Sequence, residues 1–421
     1  MMKPGNIKER LKKLDTDQKS KNSQEEKNNQ VSSSFIKEKL AGEIIENEGG
    51  DFYKREVHYD LARNHGFYQI GEIFEHKFSD LKVILNKKDK NIFKDKSIND
   101  ILNNFLFIDT ETTGLMGGTG TLPFMIGAGY FKDNKFIVRQ YFMRDYDDEY
   151  ALLLDLKKLI KANDYLVSFN GKTFDLPLLE TRFVLNRMNK PEADFHFDLL
   201  HISRRVWNHL PSCSLGSLEN KILDIYRRDD VPGSEIPKIY FKYLRKKDPL
   251  LVAPIFKHNL IDIVSLVILL KHLLEVYNNT RNCQLSANEL YNLGRHWEKK
   301  KELKKSIDFL EEAREKSQKY KLDEDIAKKL SWQYKREDNW EKAVLIWDEM
   351  VENKQGKLFP YRELAKYYEH QLKDYQKAKY YVQQALEILF EKRVIFSDFE
   401  EEKEKLDHRL NRLVKKMEKG V

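Results

Sequence analysis

Two carboxylates separated by a single residue, Asp109 and Glu111 in the stretch FLFIDTETTGL, are where residue type and spacing imply chemistry most directly. They follow Phe105, Leu106, Phe107 and Ile108, an apolar run suited to a buried central strand. Side chains alternate along a strand, so residues two apart point to one face, and both acids would converge on one spot. Neighbouring anions repel. A hard divalent cation relieves that repulsion, and carboxylate oxygens are the ligands Mg²⁺ and Mn²⁺ prefer. A structural alternative is a strand ending in polar residues at a turn made by Gly114.

Two further stretches have comparable content. YLVSFNGKTFDLPLL, from Tyr165, runs through an apolar strand and a turn to Asp175 at the start of a helix. HNLIDIVSLVILLKHLL, from His258, places His258 and Asp262 four apart, which on a helix is one face. Taken alone, Asp175 before Leu176 and Pro177 also fits a helix cap, and His258 fits a structural histidine. Asp262 within an apolar helix is harder to explain structurally, because a buried unpaired carboxylate is costly.

In this order, DTETTG, N-x-x-x-F-D and H-x-x-x-D resemble the three-motif signature of the DEDD (DnaQ-like) exonucleases of the ribonuclease H-like fold. The segments FNGKTFDLPLL, FDLLHISRRVW, SCSLGSLE, DDVPGSEIPKIYFKYL and HNLIDIVSL narrow the resemblance to the YprB-like ribonuclease H-like proteins, over Phe105 to Tyr277. The resemblance implies a metal-dependent nuclease acting three-prime to five-prime on single-stranded DNA or RNA, with two Mg²⁺ or Mn²⁺ ions. Such a pair activates water and stabilises the leaving oxygen in phosphodiester hydrolysis. By resemblance, Asp109 bridges both ions, Glu111 and Asp262 complete the water-activating site, and Asp175 anchors the second ion. His258 is the candidate general base, with an unperturbed pKa of about 6.5. Asn170, Asn259 and Thr112 are candidate substrate-binding or orienting residues. Asp198 recurs in the family pattern without a mechanistic role. The family generally has a histidine one residue further away or a tyrosine at this spacing, so H-x-x-x-D mixes two patterns.

These residues need a scaffold. Strand and helix patterns alternate from Phe105, with Thr121–Phe131 and Lys135–Met143 forming a hairpin over Asp133 and Asn134, and an amphipathic helix over Glu149–Ala162. The expected fold is an α/β ribonuclease H-like mixed sheet flanked by helices, over residues 101–278. Residues 279–421 read as tetratricopeptide-like repeats with a capping helix. Units from Leu290, Leu330 and Leu364 align with Ala313, Met350 and Ala385 at one equivalent position, and Ala343 and Ala378 fall where paired helices approach closely. Residues 51–100 form a lead-in packed on the nuclease domain. Residues 1–50 are polar and aromatic-poor, the composition of a disordered tail.

The 421 residues carry 75 Lys and Arg against 68 Asp and Glu, a net +7, which permits nucleic-acid binding without requiring it. Arg204–Arg205, Arg227–Arg228 and Arg245–Lys247 are candidate phosphate contacts or, equally, solvated surface charges, and Phe174 and Trp207 are candidate stacking platforms for which core packing is the favoured reading. A mean hydropathy of −0.68, no leader-like apolar stretch and no spanning segment argue against a membrane or exported protein. The two cysteines, Cys213 and Cys283, form no zinc or disulfide pattern. A cytoplasmic setting is expected. The competing function class is a weak or inactive nuclease-like scaffold that binds protein partners through its repeats.

Overall fold

The computed structural model describes residues 40–85, 92–93, 96–114, 120–278, 284–317, 320–391 and 398–418. Most of the polar tail read from composition, and Cys283, lie outside these residues. The chain divides into two compact units, one comprising residues 1–204 and 210–283, the other residues 205–209 and 284–421.

The first unit is built on β1 (Glu43–Asn47), β2 (Gly50–Asp60), β5 (Phe105–Thr112), β6 (Pro123–Lys132), β7 (Lys135–Phe142), β8 (Tyr165–Ser168) and β9 (Phe195–Asp198). These strands make a seven-stranded mixed sheet in the order β1-β2-β7-β6-β5-β8-β9, while β3 (Asn64–His65) and β4 (Tyr68–Gln69) pair separately. Where composition predicts a tail and a packed lead-in, Gly50–Asp60 pairs antiparallel with β7, and Glu43–Asn47 pairs antiparallel with Gly50–Asp60 at the sheet edge. Phe52 and Tyr53 are fully buried there, but most of β2 is only half-buried, which explains its weak alternation.

The β6–β7 hairpin turns at Asp133 and Asn134, both with positive φ, 50° and 56°, between the paired Lys132 and Lys135. Asp and Asn tolerate this region best after glycine, so the turn matches the twist of its strands. Central β5 pairs antiparallel with β6 and parallel with β8. Its apolar half, Phe105 to Ile108, has no solvent exposure, whereas its polar end emerges where open α/β sheets commonly place ligands, beyond the carboxyl ends of parallel strands.

The helices of this unit are α1 (Phe78–Ile84), α2 (Ile98–Asn103), α3 (Glu149–Lys161), α4 (Asp175–Leu185), the start of α5 (Leu199–Trp207), the short α6 (Leu215–Leu218), α7 (Ile236–Lys246) and α8 (Ala253–Asn278). Tyr240 of α7 stacks on Phe124 of β6, ring centroids 3.9 Å apart. The 26-residue α8 is buried along most of its length, and it packs on β5, β6 and β7. That placement delivers its polar residues to the end of β5.

Among the described residues of the second unit, seven helices follow: α9 (Ala287–Lys299), α10 (Leu303–Glu315), α11 (Tyr320–Arg336), α12 (Trp340–Glu352), α13 (Phe359–His370), α14 (Tyr375–Glu391) and α15 (Phe399–Glu418). Each packs on the next in chain order. Ala313, Ala343, Met350, Ala378 and Ala385 are all fully buried. Trp207, at the end of α5, is fully buried and its indole donates to Glu289 at 2.6 Å. It is therefore unavailable for stacking on a base.

The last helix is locked by one buried acid. Glu369 accepts hydrogen bonds from Arg409 at 2.6 Å, Arg412 at 2.8 and 2.9 Å and Lys416 at 2.9 Å. Burial raises its pKa, but these cations outweigh burial and hold it down at about 2. A depressed carboxylate stabilises the fold above its unfolded pKa and loses that contribution as pH falls through the folded value. Glu369→Gln should cost about 3 kcal/mol, the scale for breaking a buried pair, and flatten the loss of stability between about pH 4 and pH 2, measured by denaturant unfolding across pH.

Candidate metal centre

At the end of β5 the backbone register shifts between Glu111 and Thr112. Such bulges re-aim side chains beside active sites. Asp109 and Glu111 both reach residues of α8, confirming the shared face that alternation predicts. Asp109 Oδ2 accepts from Asn259 Nδ2 at 2.9 Å, and Glu111 Oε1 lies 3.9 Å from His258 Nε2. His258 Nε2 is also 3.3 Å from Asp262 Oδ2. Ligand-type atoms of Glu111, His258 and Asp262 all lie within 4.8 Å of one another. Asp109, His258 and Asp262 line a cleft of about 480 Å³ with Phe169, Arg227 and Asp230.

Electrostatics shows what this convergence costs. Burial, then the charges of Asp262 and Asp175, push Asp109 well above the usual carboxylate range. Burial, then Asp109, Asp262 and Asp175, do the same to Glu111. Asp175, in the first turn of α4, is raised to about 6, chiefly by burial, against a hydrogen bond from Thr110 Oγ1 at 2.5 Å. A set of buried carboxylates that resist ionisation beside one imidazole nitrogen is a donor set that fits a divalent cation.

Supporting residues hold the set in place. Asn259 Oδ1 accepts from Gln140 Nε2 at 3.0 Å, and Gln140 also donates to the Phe256 carbonyl at 2.8 Å. Fully buried Gln140 thus orients Asn259, which orients Asp109. This reach requires Gly127, since a Cβ there would stand 2.4 Å from Asn259 Oδ1. Gly129 clears Ile263 in the same way, its Cβ position being 2.5 Å from that side chain. A G-x-G inside an apolar strand signals close approach by another element, and that signal was present in the sequence. Gly127→Ala should destabilise the protein by about 1–3 kcal/mol through overpacking and weaken the metal response. Thermal unfolding with and without Mn²⁺ checks both effects.

Asn170 sits at φ 69° in the turn before α4. Its backbone N–H donates to Asp198 Oδ1 at 2.9 Å, and Lys172 N–H donates to Asp198 Oδ2 at 3.1 Å. Asp198 therefore ties down the loop that delivers Asp175. Thr112 donates its hydroxyl to the Gly114 carbonyl at 2.7 Å, shaping the strand end. Phe174, beside Asp175, is half-exposed.

Arg227 and Asp230 line the same cleft, although the sequence named Arg227 only as a candidate phosphate contact or surface cation and gave Asp230 no role. Arg227 makes a double contact with buried Glu219 at 2.6 Å, reaches Asp230 Oδ2 at 3.2 Å and donates to Asp262 Oδ1. Both Asp230 oxygens lie 2.9 Å from His258 Nδ1. Arg227 and Asp230 arrive together on one loop, far in sequence from Asp109 and Glu111, and no helix or strand periodicity announces them.

Residues 106–274 match the profile of the RNase_H superfamily. Over 376 residues, 86% of this chain and 85% of the relative, the sequence is 34% identical to "Uncharacterized protein YprB" of Bacillus subtilis (strain 168). The chain is a YprB-like member of the ribonuclease H superfamily. Its similarity to the solved family B DNA polymerase of the hyperthermophilic archaeon Pyrobaculum calidifontis is 14% in sequence, with a TM-score of 0.33 over 47% of this chain and 29% of that one. Superfamily membership points to nucleic-acid cleavage and to divalent metals, and the YprB-like chain carries a donor set that fits them. No described helix is long and apolar enough to cross a membrane.

Proposed function

We propose that the chain is a divalent-metal-dependent exonuclease of the DEDD type, hydrolysing phosphodiester bonds of single-stranded nucleic acid from the three-prime end with two Mg²⁺ or Mn²⁺ ions. The observation that carries this reading is the convergence of Glu111, His258 and Asp262 within 4.8 Å, with His258, Asp262 and Asp109 lining one cleft. Asp109 and Glu111 are the central holders of the ions, Asp262 joins them from α8, and Asp175 completes the set from α4. The ions, when bound, supply water activation and charge stabilisation at the leaving oxygen. The chain's own contribution is positioning. Gln140 and Asn259 fix Asp109, Asp198 fixes the Asp175 loop, and Arg227 holds Asp262 from behind.

The three-prime direction is what the resemblance of the three motifs to the DEDD exonucleases implies. For the C-terminal region we propose tetratricopeptide-like repeats that select a protein partner or substrate, a reading supported by neighbour-to-neighbour helix packing and fully buried small residues.

Strands labelled at either end decide the reaction. With Mn²⁺ or Mg²⁺, a five-prime label should give a descending ladder, while a three-prime label is released at once as a mononucleotide. Fragments longer than a mononucleotide that keep the three-prime label would mean cleavage inside the strand or from the other end, and unshortened strands under both metals would end the proposal. Matched RNA and DNA in the same assay identify the preferred sugar.

A further inference from the structure

The side of His258 facing away from the carboxylate pair is as tightly organised as the side facing it. Both oxygens of Asp230 stand 2.9 Å from Nδ1. Arg227 Nη1 lies farther from the same nitrogen, at 3.4 Å. If Nδ1 accepted from Arg227, its lone pair would meet two carboxylate oxygens at hydrogen-bond distance. The proton on Nδ1 is therefore donated to Asp230, which leaves Nε2 as the nitrogen turned toward the carboxylate pair.

Nε2 lies 3.3 Å from Asp262 Oδ2 and 3.9 Å from Glu111 Oε1. A divalent ion seated among these three atoms would take the place that a proton on Nε2 can hold and would satisfy both carboxylates at once. Arg227 engages the other Asp262 oxygen, Oδ1, leaving Oδ2 to the cluster. A histidine whose second nitrogen donates to a carboxylate is the usual arrangement of a metal-bound imidazole, where the carboxylate sets tautomer and ring orientation.

Building on the nuclease reading above, we infer that His258 binds the divalent ion directly through Nε2, beside Glu111 and Asp262, and that Asp230 is its positioning residue. This role replaces the general base that an ordinary histidine pKa suggests. It also sets metal preference. Imidazole nitrogen is a poor ligand for Mg²⁺ and a better one for Mn²⁺ and later transition metals, so the site should favour Mn²⁺.

Pulsed electron paramagnetic resonance on the full-length protein loaded with Mn²⁺, with calorimetric titration of Mn²⁺ and Mg²⁺, tests this. The expected result is a ¹⁴N modulation from a bound imidazole that disappears in His258→Gln. Asp230→Asn should weaken Mn²⁺ binding by about tenfold or more, the range for lost second-layer partners, with a smaller change for Mg²⁺. Bound Mn²⁺ without nitrogen coupling, or coupling that survives in His258→Gln, would overturn histidine ligation and leave the nuclease reading standing. Failure of the wild type to bind Mn²⁺ would overturn both.

Discussion

Asp109→Asn is expected to slow phosphodiester cleavage by about a thousandfold or more, about 4 kcal/mol in the barrier, while leaving the protein folded. Asp262 and Asp175 both act on Asp109, and Asp109 is the first of the charges that act on Glu111, so removing its charge touches the whole acidic set. Asparagine keeps the volume and retains an acceptor for the Asn259 amide, which lies 2.9 Å from Asp109 Oδ2. The substitution thus removes charge and little else. Single-turnover cleavage of a labelled oligonucleotide by wild type and variant, at matched far-ultraviolet dichroism, measures the ratio. A variant within a few-fold of wild type would place the chemistry elsewhere.

The metal-free protein should lose stability as pH rises, and the cation should restore it. Asp175 titrates at about 6 in the folded chain, against about 3.9 in an unfolded one. Below pH 4 both states are protonated and the group is neutral in the balance. Between about pH 4 and pH 6 the unfolded chain ionises first, so the folded state binds the extra proton and stability falls with rising pH. A displacement of about two pKa units corresponds to about 3 kcal/mol by pH 7, and the raised Asp109 and Glu111 act in the same direction. In chelator, Asp175→Asn should therefore be more stable than wild type at pH 7 and equal to it near pH 4. Mn²⁺ at about a hundred times its Kd adds about 2.7 kcal/mol to the wild type and less to the variant. Denaturant titrations at both pH values, with and without Mn²⁺, separate these contributions. An Asp175→Asn variant less stable than wild type in chelator at pH 7 would show that its carboxylate is favourably ionised without metal.

The parts of the site legible in sequence were those set by local periodicity. Asp109 and Glu111 share a face because strands repeat every two residues, and His258 and Asp262 because helices bring residues four apart together. The Asp133–Asn134 turn was legible for the same local reason. Residues that act through tertiary approach were not. Asp230 reaches His258, and Gln140 reaches Asn259, only because the fold folds back on itself. Gly127 was readable in principle, as a glycine within an apolar strand. Strands β1 and β2 escaped because lysine, glutamate and histidine on their half-buried surface blur the alternation. For Trp207 the sequence offered a base platform or core packing, and its full burial with the indole paired to Glu289 in the helical unit agrees with core packing.

The central claim is that the acidic set binds a divalent ion and that this ion enables bond cleavage. The most direct test titrates Mn²⁺ into chelator-stripped full-length protein mixed with a five-prime-labelled single strand, following thermal stability and strand shortening in the same samples. The account predicts no cleavage at zero metal, then stabilisation and cleavage rising together over one concentration range, with both absent in the double variant Asp109→Asn, Asp262→Asn. Stabilisation by Mn²⁺ with no shortening of RNA or DNA at any concentration, or cleavage undiminished in the double variant, would contradict it.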